Sequence, residues 1–462
     1  MSAKRSDALL HKRENGYRSL SAEEKAAMNA YCEDYKTFLD KSRTEREAVR
    51  YTVQLAEAHG YRPYHRGEAL KPGDKIYRVN RDKAIMLAVM GSESLDKGVN
   101  IGAAHIDAPR LDLKPNPLIE DSEFALLKTH YYGGIRKYHW VSIPLSLRGV
   151  VVKRDGTKVD VVIGGEPGDP LLTIPDLLPH LADKQAKEPL WQAIKGEDLN
   201  ILVGSEPYPD PDEKDAVKLM VLDILNQKYG MVEEDFLSAE LCAVPAYPVA
   251  DVGLDRSMIG SYGQDDRVCS FAALQGLFDA EETLKRTGVC MLVDKEEIGS
   301  EGVSGMQSWA FDTFLSDLCD ATGASLKSCY ENSFCLSADV TAAFDPNFAE
   351  VYEKHNAARL NRGVGLCKYT GARGKSGASD ASAEVVGYVR KLFNDNGILW
   401  QLSEMGKVDV GGGGTVALYM ANRNIDTIDA GTPVLAMHSP FEVTGKLDCY
   451  MTYRSMKAVF EA

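Results

Sequence analysis

The chain of 462 residues has no CxxC pair; its nine cysteines, Cys32, Cys242, Cys269, Cys290, Cys319, Cys329, Cys335, Cys367 and Cys449, stand singly. That scatter argues against a disulfide framework and against a thiolate zinc site, and it reads as reduced thiols buried as small apolar side chains. No uninterrupted apolar stretch approaches the roughly 20 residues of a membrane-spanning helix. The start, Met1 to Gly16, is polar and charged and lacks the apolar core of a secretion signal, so a cytoplasmic protein is expected. Long basic runs are missing as well. A formal charge of −15 sets a background that repels DNA, RNA and anionic membrane, so neither nucleic acid nor membrane is an expected partner. Internal repeats and low-complexity tracts are absent, and Gly411 to Gly414 is the one extended glycine run.

What remains is a globular composition, 44% hydrophobic, long enough for two or three domains. Ser21-Ala22-Glu23-Glu24 has the form of a capping box, and helical spacing of apolar residues up to Gly60 predicts one long amphipathic helix. Lys75 to Gly91 and Val99 to Ala108 read as β-strands, the second running into a polar turn. After Pro115-Asn116-Pro117 the pattern changes. Short strands over Val141 to Val152 and Lys158 to Gly164 are joined by Arg154-Asp155-Gly156, a hairpin turn, and a proline-rich acidic loop spans Ser205 to Asp212. Residues 117–248 are therefore expected to form an inserted β-rich domain. From Asp251 onward α and β alternate: Val289 to Val293 and Phe334 to Ala338 read as short buried strands, and Ser379 to Asn394 as a helix. The fold class is α/β, with a catalytic domain split over 1–116 and 249–462 around the insertion.

Five short motifs carry a histidine or a carboxylate at the end of an apolar strand or the start of a helix. In Ala104-His105-Ile106-Asp107-Ala108-Pro109, residues two apart on an extended strand face one side, so Asp107 can receive one ring N–H of His105 and leave the other nitrogen free for a metal. Gly263-Gln264-Asp265-Asp266-Arg267 opens a helix-like run over Val268 to Phe278, where acids also suit the helix dipole. In Val293-Asp294-Lys295-Glu296-Glu297-Ile298-Gly299, two glutamates follow a strand and can turn into one cleft, one to bind metal and one to take a proton from water. Leu336-Ser337-Ala338-Asp339 places an acid after an apolar segment, and Val434-Leu435-Ala436-Met437-His438-Ser439-Pro440 has a histidine finishing an apolar strand. Taken singly, each is as well read as a solvated acid or a rim histidine. In the order His, Asp, Glu-Glu, Asp, His they form the mixed N/O donor set that zinc accepts.

The order and wording of these motifs resemble the M18 family of metalloaminopeptidases, relatives of aspartyl aminopeptidase. The likeness is carried chiefly by Ala104 to Asp107, Asp294 to Ser300, Ser337 to Asp339 and Ala436 to Ser439, and it extends over nearly the whole chain. It implies a zinc-peptidase fold with a central mixed sheet flanked by helices, and an inserted domain that serves dimerisation or acts as a lid. It also implies two divalent cations, Zn2+ with Co2+ or Mn2+ as alternatives: one held by His105, Asp265 and Asp339, the other by Asp265, Glu297 and His438. Glu296 would be the general base, Asp107 would lie outside the ligand shell, and the peptide bond from Asp265 to Asp266 would be cis. The glycine run, with Gly412 and Gly413, would let bare backbone approach the substrate.

The histidines that aspartyl relatives carry after the fourth motif are absent here: the matching stretches are Val340 to Pro346 and Leu360 to Gly363. Thr370 to Ser379 offers Arg373 and Lys375, either of which could meet an acidic side chain or stand as a solvated loop cation, so the preference between acidic and neutral N-terminal residues stays open. Relatives assemble as dimers and then as a tetrahedral shell of twelve, and His180 would reach a neighbour's site to stabilise an oxyanion. The implied activity is removal of N-terminal residues from peptides with a free amine. The alternatives are a two-metal carboxypeptidase or deacylase, and a non-catalytic shell that binds cargo.

Overall fold

The computed structural model describes the chain except residues 1–4, 6–8, 11–13, 167, 211 and 282. The polar start from Met1 to Gly16 thus lies largely outside the described residues, as does one position of the acidic loop Ser205 to Asp212. Among the described residues no helix is long and apolar enough to cross a membrane. All nine cysteines are buried and unpaired.

A nine-stranded mixed sheet forms the centre. Its middle four strands, Gly288–Val293, Asn100–His105, Phe334–Ser337 and Asp426–Gly431, lie parallel in that order. Parallel strands buried on both faces read as apolar runs, and Gly288–Val293 and Asn100–His105 are buried at every position. One face packs against the helices Ala22–Lys41, Gln264–Phe278 and Lys446–Phe460, through Phe38, Phe271, Met456 and Phe460. The other face is covered by Phe311, Phe314 and Leu318 of the helix Ala310–Thr322 and by Met420. The expected α/β architecture, a mixed sheet between helices, is the one observed.

Several elements differ in extent from the expectation. The single helix over Ser21 to Gly60 is two helices, Ala22–Lys41 and Glu45–Ala58, broken at the buried Ser42 and Arg43. The sequence carries two start signals: Ser21 with Glu24 and Thr44 with Glu47 both form complete capping boxes. Each cap contributes about 1 kcal/mol, enough to set a new start where the chain must turn. The stretch Lys75 to Gly91 is a hairpin of Lys75–Asn80 and Ala84–Val89, turned by Arg81 and Asp82 at φ of 55° and 57°. The helix read over Ser379 to Asn394 runs Ala383–Asp395, capped by Ser382.

A second, antiparallel sheet of six strands follows. Its long hairpin, Arg110–Asp121 with Phe124–Tyr132, starts before the proline cluster, so the change of sheet comes earlier than position 117. Pro115 and Pro117 sit where the register shifts between Leu113 and Leu118, a bulge that tolerates residues without an N–H. Leu145–Val152 and Lys158–Ile163 pair across the turn at Gly156, as the Arg-Asp-Gly signal predicts. Trp140, Leu147, Val161 and Leu241 build the separate core of this region. A third sheet of five short strands includes Met258–Ser261, Glu442–Gly445 and Pro433–Leu435 and carries the two segments that complete the site.

Candidate metal centre

In parallel sheets the carboxyl ends of the strands gather polar groups, because side chains beyond the last ladder bond turn into the crevice above the sheet. His105 ends its strand directly opposite Val293, so the turn beginning at Asp294 emerges beside it. Lys295 at φ 67° and Gly299 at φ 95° fold that turn around the short helix Glu296–Ile298 and bring both glutamates over the sheet. Asp339 follows Phe334–Ser337 by two residues. Asp265 lies in the first turn of Gln264–Phe278 with extended backbone, and the peptide bond to Asp266 is cis. His438 does not finish a strand: Pro433–Leu435 ends three residues before it, and the chain then passes through left-handed positions at Ala436 and His438.

These residues, distant in sequence, converge. Nε2 of His105 lies 3.2 Å from Oδ1 of Asp265, 3.8 Å from Glu296 and 3.9 Å from Asp339. Nε2 of His438 lies 3.1 Å from the other oxygen of Asp265 and 3.4 Å from Glu297. Ligand atoms of His105, Glu296 and Asp339 fall within 4.8 Å of one another, as do those of His105, Asp265 and Glu297.

Burial first, and then neighbouring carboxylates, push the carboxyls of Glu297 and Asp339 well above their usual range and that of Glu296 up to about 7, against the lowering pull of the imidazoles. Burial opposes charge on His438, yet Asp265 and Glu297 beside it outweigh that and hold it up at about 10. Asp265, though buried, is held below the ordinary range by the two imidazoles. Buried acids crowded in this way need positive charge. Nε2 of His105, Oδ1 of Asp265 and Oε1 of Glu297 are buried without a hydrogen-bond partner, although they lie in one cluster. Unpaired donors of mixed N and O type, aimed at a shared space, fit zinc.

Asp107 lies beyond the strand rather than on it. It still meets Nδ1 of His105, at 3.2 Å from its carboxylate and 3.1 Å from its carbonyl. Its two oxygens also accept the backbone N–H groups of Glu296 and Glu297 and, at 2.7 Å, the hydroxyl of Tyr132. Three further groups support the site without having been singled out in the sequence. Tyr132 and Gly134 come from the second sheet region, and the carbonyl of Gly134 accepts the Nδ1–H of His438 at 3.0 Å. The third, Glu442, accepts the backbone N–H groups of His438 and Asp265. An acid between the apolar Phe441 and Val443, four residues past His438, was a readable signal for Glu442; nothing local marks Tyr132 or Gly134.

A cavity of about 340 Å³ opens beside the cluster, lined by Asp265, Glu296, Glu297, Asp339 and His438 and closed by Gly412 to Thr415. At its first half the glycine run is also required by packing within the protein. A Cβ on Gly411 would strike the carbonyl of Met405, and one on Gly412 that of Gly371, so these glycines let protein backbone pack on protein backbone. Gly413 and Gly414 have nothing closer than 3.7 Å and face the cavity. Arg373 and Lys375 do not line it. Both are exposed, and Lys375 is paired with Asp380 at 2.9 Å and lies over the Tyr369 ring. His180 is exposed on the short helix Pro179–Leu181, outside the cavity lining.

A buried cluster of histidine and carboxylate donors beside a cavity, above the carboxyl ends of parallel strands, defines a metallohydrolase-type centre. The family model for the aminopeptidase I zinc metalloprotease (M18) matches residues 38–460, and the chain belongs to this family. The probable M18 family aminopeptidase 1 of Borrelia garinii subsp. bavariensis is 45% identical over 457 residues, covering 97% of this chain and all of the relative. The solved M18 aminopeptidase of Thermotoga maritima is 44% identical with a TM-score of 0.94, covering 98% of this chain and 100% of that one. The S. cerevisiae mApe1 dodecamer shares the fold, at 22% identity and TM-score 0.77 over 94% of this chain and 97% of that one. The chain is thus a metalloaminopeptidase, an exopeptidase acting on peptides.

Proposed function

We propose that the chain removes N-terminal residues with two divalent cations, zinc before cobalt or manganese, that share Asp265. His105, Asp265 and Asp339 would hold one, and Asp265, Glu297 and His438 the other. The observation that carries the reading is that the two oxygens of Asp265 face different imidazoles, at 3.2 and 3.1 Å. When bound, such a pair supplies Lewis acidity that polarises a carbonyl and lowers the pKa of water. Glu296, on the cavity wall, takes the proton of the attacking water and returns it to the leaving amine. Asp107 keeps this base in register by binding the backbone N–H of Glu296 while it orients the ring of His105. The acidic wall draws the cationic amine of a peptide, and Gly413 and Gly414 leave room for its backbone.

The residues 117–248 act in assembly, as a homo-oligomer built from dimers toward a tetrahedral dodecamer. What supports this is a set of exposed apolar side chains around His180, among them Leu181 at 68% and Trp191 at 70% exposure. In such an assembly His180 stabilises the oxyanion of a neighbouring site. Nine unpaired buried thiols support a reducing, cytoplasmic setting.

The deciding experiment is elemental analysis of the purified protein together with cleavage of one dipeptide in free and N-acetylated form. Two equivalents of metal per chain and cleavage of the free amine alone are expected; equal cleavage of both forms would make the protein a deacylase or carboxypeptidase. Matched dipeptides starting with Asp, Glu, Leu and Met rank the side-chain preference.

A further inference from the structure

We propose that Glu442 is the positioning residue that sets the separation of Asp265 and His438, and thereby the affinity of the site for its metals; the inference rests on the metal-centre reading above. Glu442 begins the strand Glu442–Gly445, paired with Ser261 at the end of Met258–Ser261, so it stands where both chains leave the third sheet toward the site. Its side chain is 1% exposed, and both carboxylate oxygens are engaged. One accepts the backbone N–H of His438 at 2.8 Å, and the other accepts that of Asp265 at 3.1 Å. Its own carbonyl accepts the side-chain amide of Gln264 at 2.6 Å, which pins the residue before Asp265 to the same strand.

A single rigid carboxylate therefore joins two proposed ligands that lie 173 residues apart in sequence (438 − 265). Asp265 has ordinary extended backbone at a helix start, whereas His438 holds a left-handed φ of 65°. A non-glycine residue keeps such a conformation only where its surroundings impose it. Glu442 is the group that reaches both. Because each oxygen of Asp265 faces a different histidine, a displacement of its backbone moves both halves of the centre together. Two backbone N–H groups donating to the two oxygens of one buried carboxyl fix both distance and direction, which suits a spacer better than packing alone.

The test is a calorimetric titration of Zn2+ into the chelator-stripped full chain. Glu442→Gln keeps shape and loses one of two equivalent acceptors, and it is expected to weaken zinc binding about 10–100-fold, the usual cost of removing a group that orients a ligand. A matched control is Asp448→Asn. Asp448 is also fully buried and accepts two backbone N–H groups, from Asn361 at 2.6 Å and Gly363 at 2.7 Å, but it lies outside the cavity lining. Its variant is expected to melt earlier with zinc affinity unchanged. Wild-type zinc affinity in Glu442→Gln, or the same loss of affinity in both variants, overturns the proposal. Should Glu442→Gln fail to fold, Glu442→Asp, which keeps the carboxyl but withdraws its oxygens by one methylene, is read in the same titration by the same criteria. A wild-type chain that takes up no zinc removes the metal centre itself, a result distinct from failure of the spacer role.

Discussion

The region around the nine-stranded sheet encloses charged side chains, whereas the region around the six-stranded sheet exposes apolar ones. Above the first, His105, Asp107, Asp265 and Glu442 are enclosed, none more than 3% exposed. Beside the second, Leu177, Leu178, Leu181 and Trp191 lie open to solvent. Enclosed charge is tolerated only where charge of the other sign is supplied, and open apolar surface only where something covers it. The proposed cations would complete the first region and the proposed assembly contact the second. They meet at Tyr132 to Gly134, where the second region orients Asp107 and His438 of the first.

The contrast can be broken most sharply at the enclosed acids. Glu296→Gln keeps the shape but cannot accept a proton, so kcat should fall about 10²–10⁴-fold with metal content unchanged. Steady-state kinetics alongside elemental analysis measures both. At the open surface, Leu181→Asp with Trp191→Asp should convert the proposed oligomer to smaller species in sedimentation velocity, because a charge cannot be enclosed unpaired in an apolar contact. An unchanged sedimentation coefficient would place the assembly contact elsewhere.

The enclosed charges also predict a pH dependence. Burial holds the carboxyls of Glu296 and Asp448 up at about 7 and Glu442 at about 8, while Asp265 and Glu297 keep His438 charged up to about 10 against its burial. In the metal-stripped protein the folded state then keeps protons that the unfolded chain has released, so stability falls as pH rises from about 5 through 8. Bound cations would take the place of the protons within the centre, such as that on His438, but not of that on Asp448, so the loaded protein should lose less. Thermal melts of stripped and loaded protein at both ends of this range give the comparison, and parallel slopes would contradict it.

Smaller effects are expected where the regions touch and at the rim. A Cβ on Gly134 would lie 3.2 Å from Nδ1 of His438, so Gly134→Ala should reduce kcat/KM several-fold, on the scale of a loosened ligand support rather than a lost base. Lys375→Ala removes an exposed cation already paired with Asp380 and should alter Asp-peptide turnover less than about twofold. A selective loss on acidic substrates would instead bring Lys375 into substrate binding.

The residues of the proposed centre were legible because strand ends and helix starts have local signals: His105, Glu296, Glu297 and Asp339 each end or follow an apolar run, and Asp265 opens a helical one. The break at Ser42 and the hairpin at Arg81-Asp82 were less so. Amphipathic spacing continues across the first, and the second uses non-glycine residues with positive φ, which carry no strong turn signature. The glycine run was noticed, but its first half answers to a carbonyl of Met405 and one of Gly371, contacts that no spacing rule contains.

By itself the amino-acid sequence determined the α/β class, the donor types and their order along the chain, because periodicity, turn chemistry and residue identity are local properties. Only the tertiary structure decided that the two oxygens of Asp265 face two histidines, that Lys375 is turned toward Asp380, and that Tyr132, Gly134 and Glu442 serve the centre. Those outcomes depend on which strand ends lie side by side and on which backbone groups are left to be satisfied once they do, and both are settled by long-range packing.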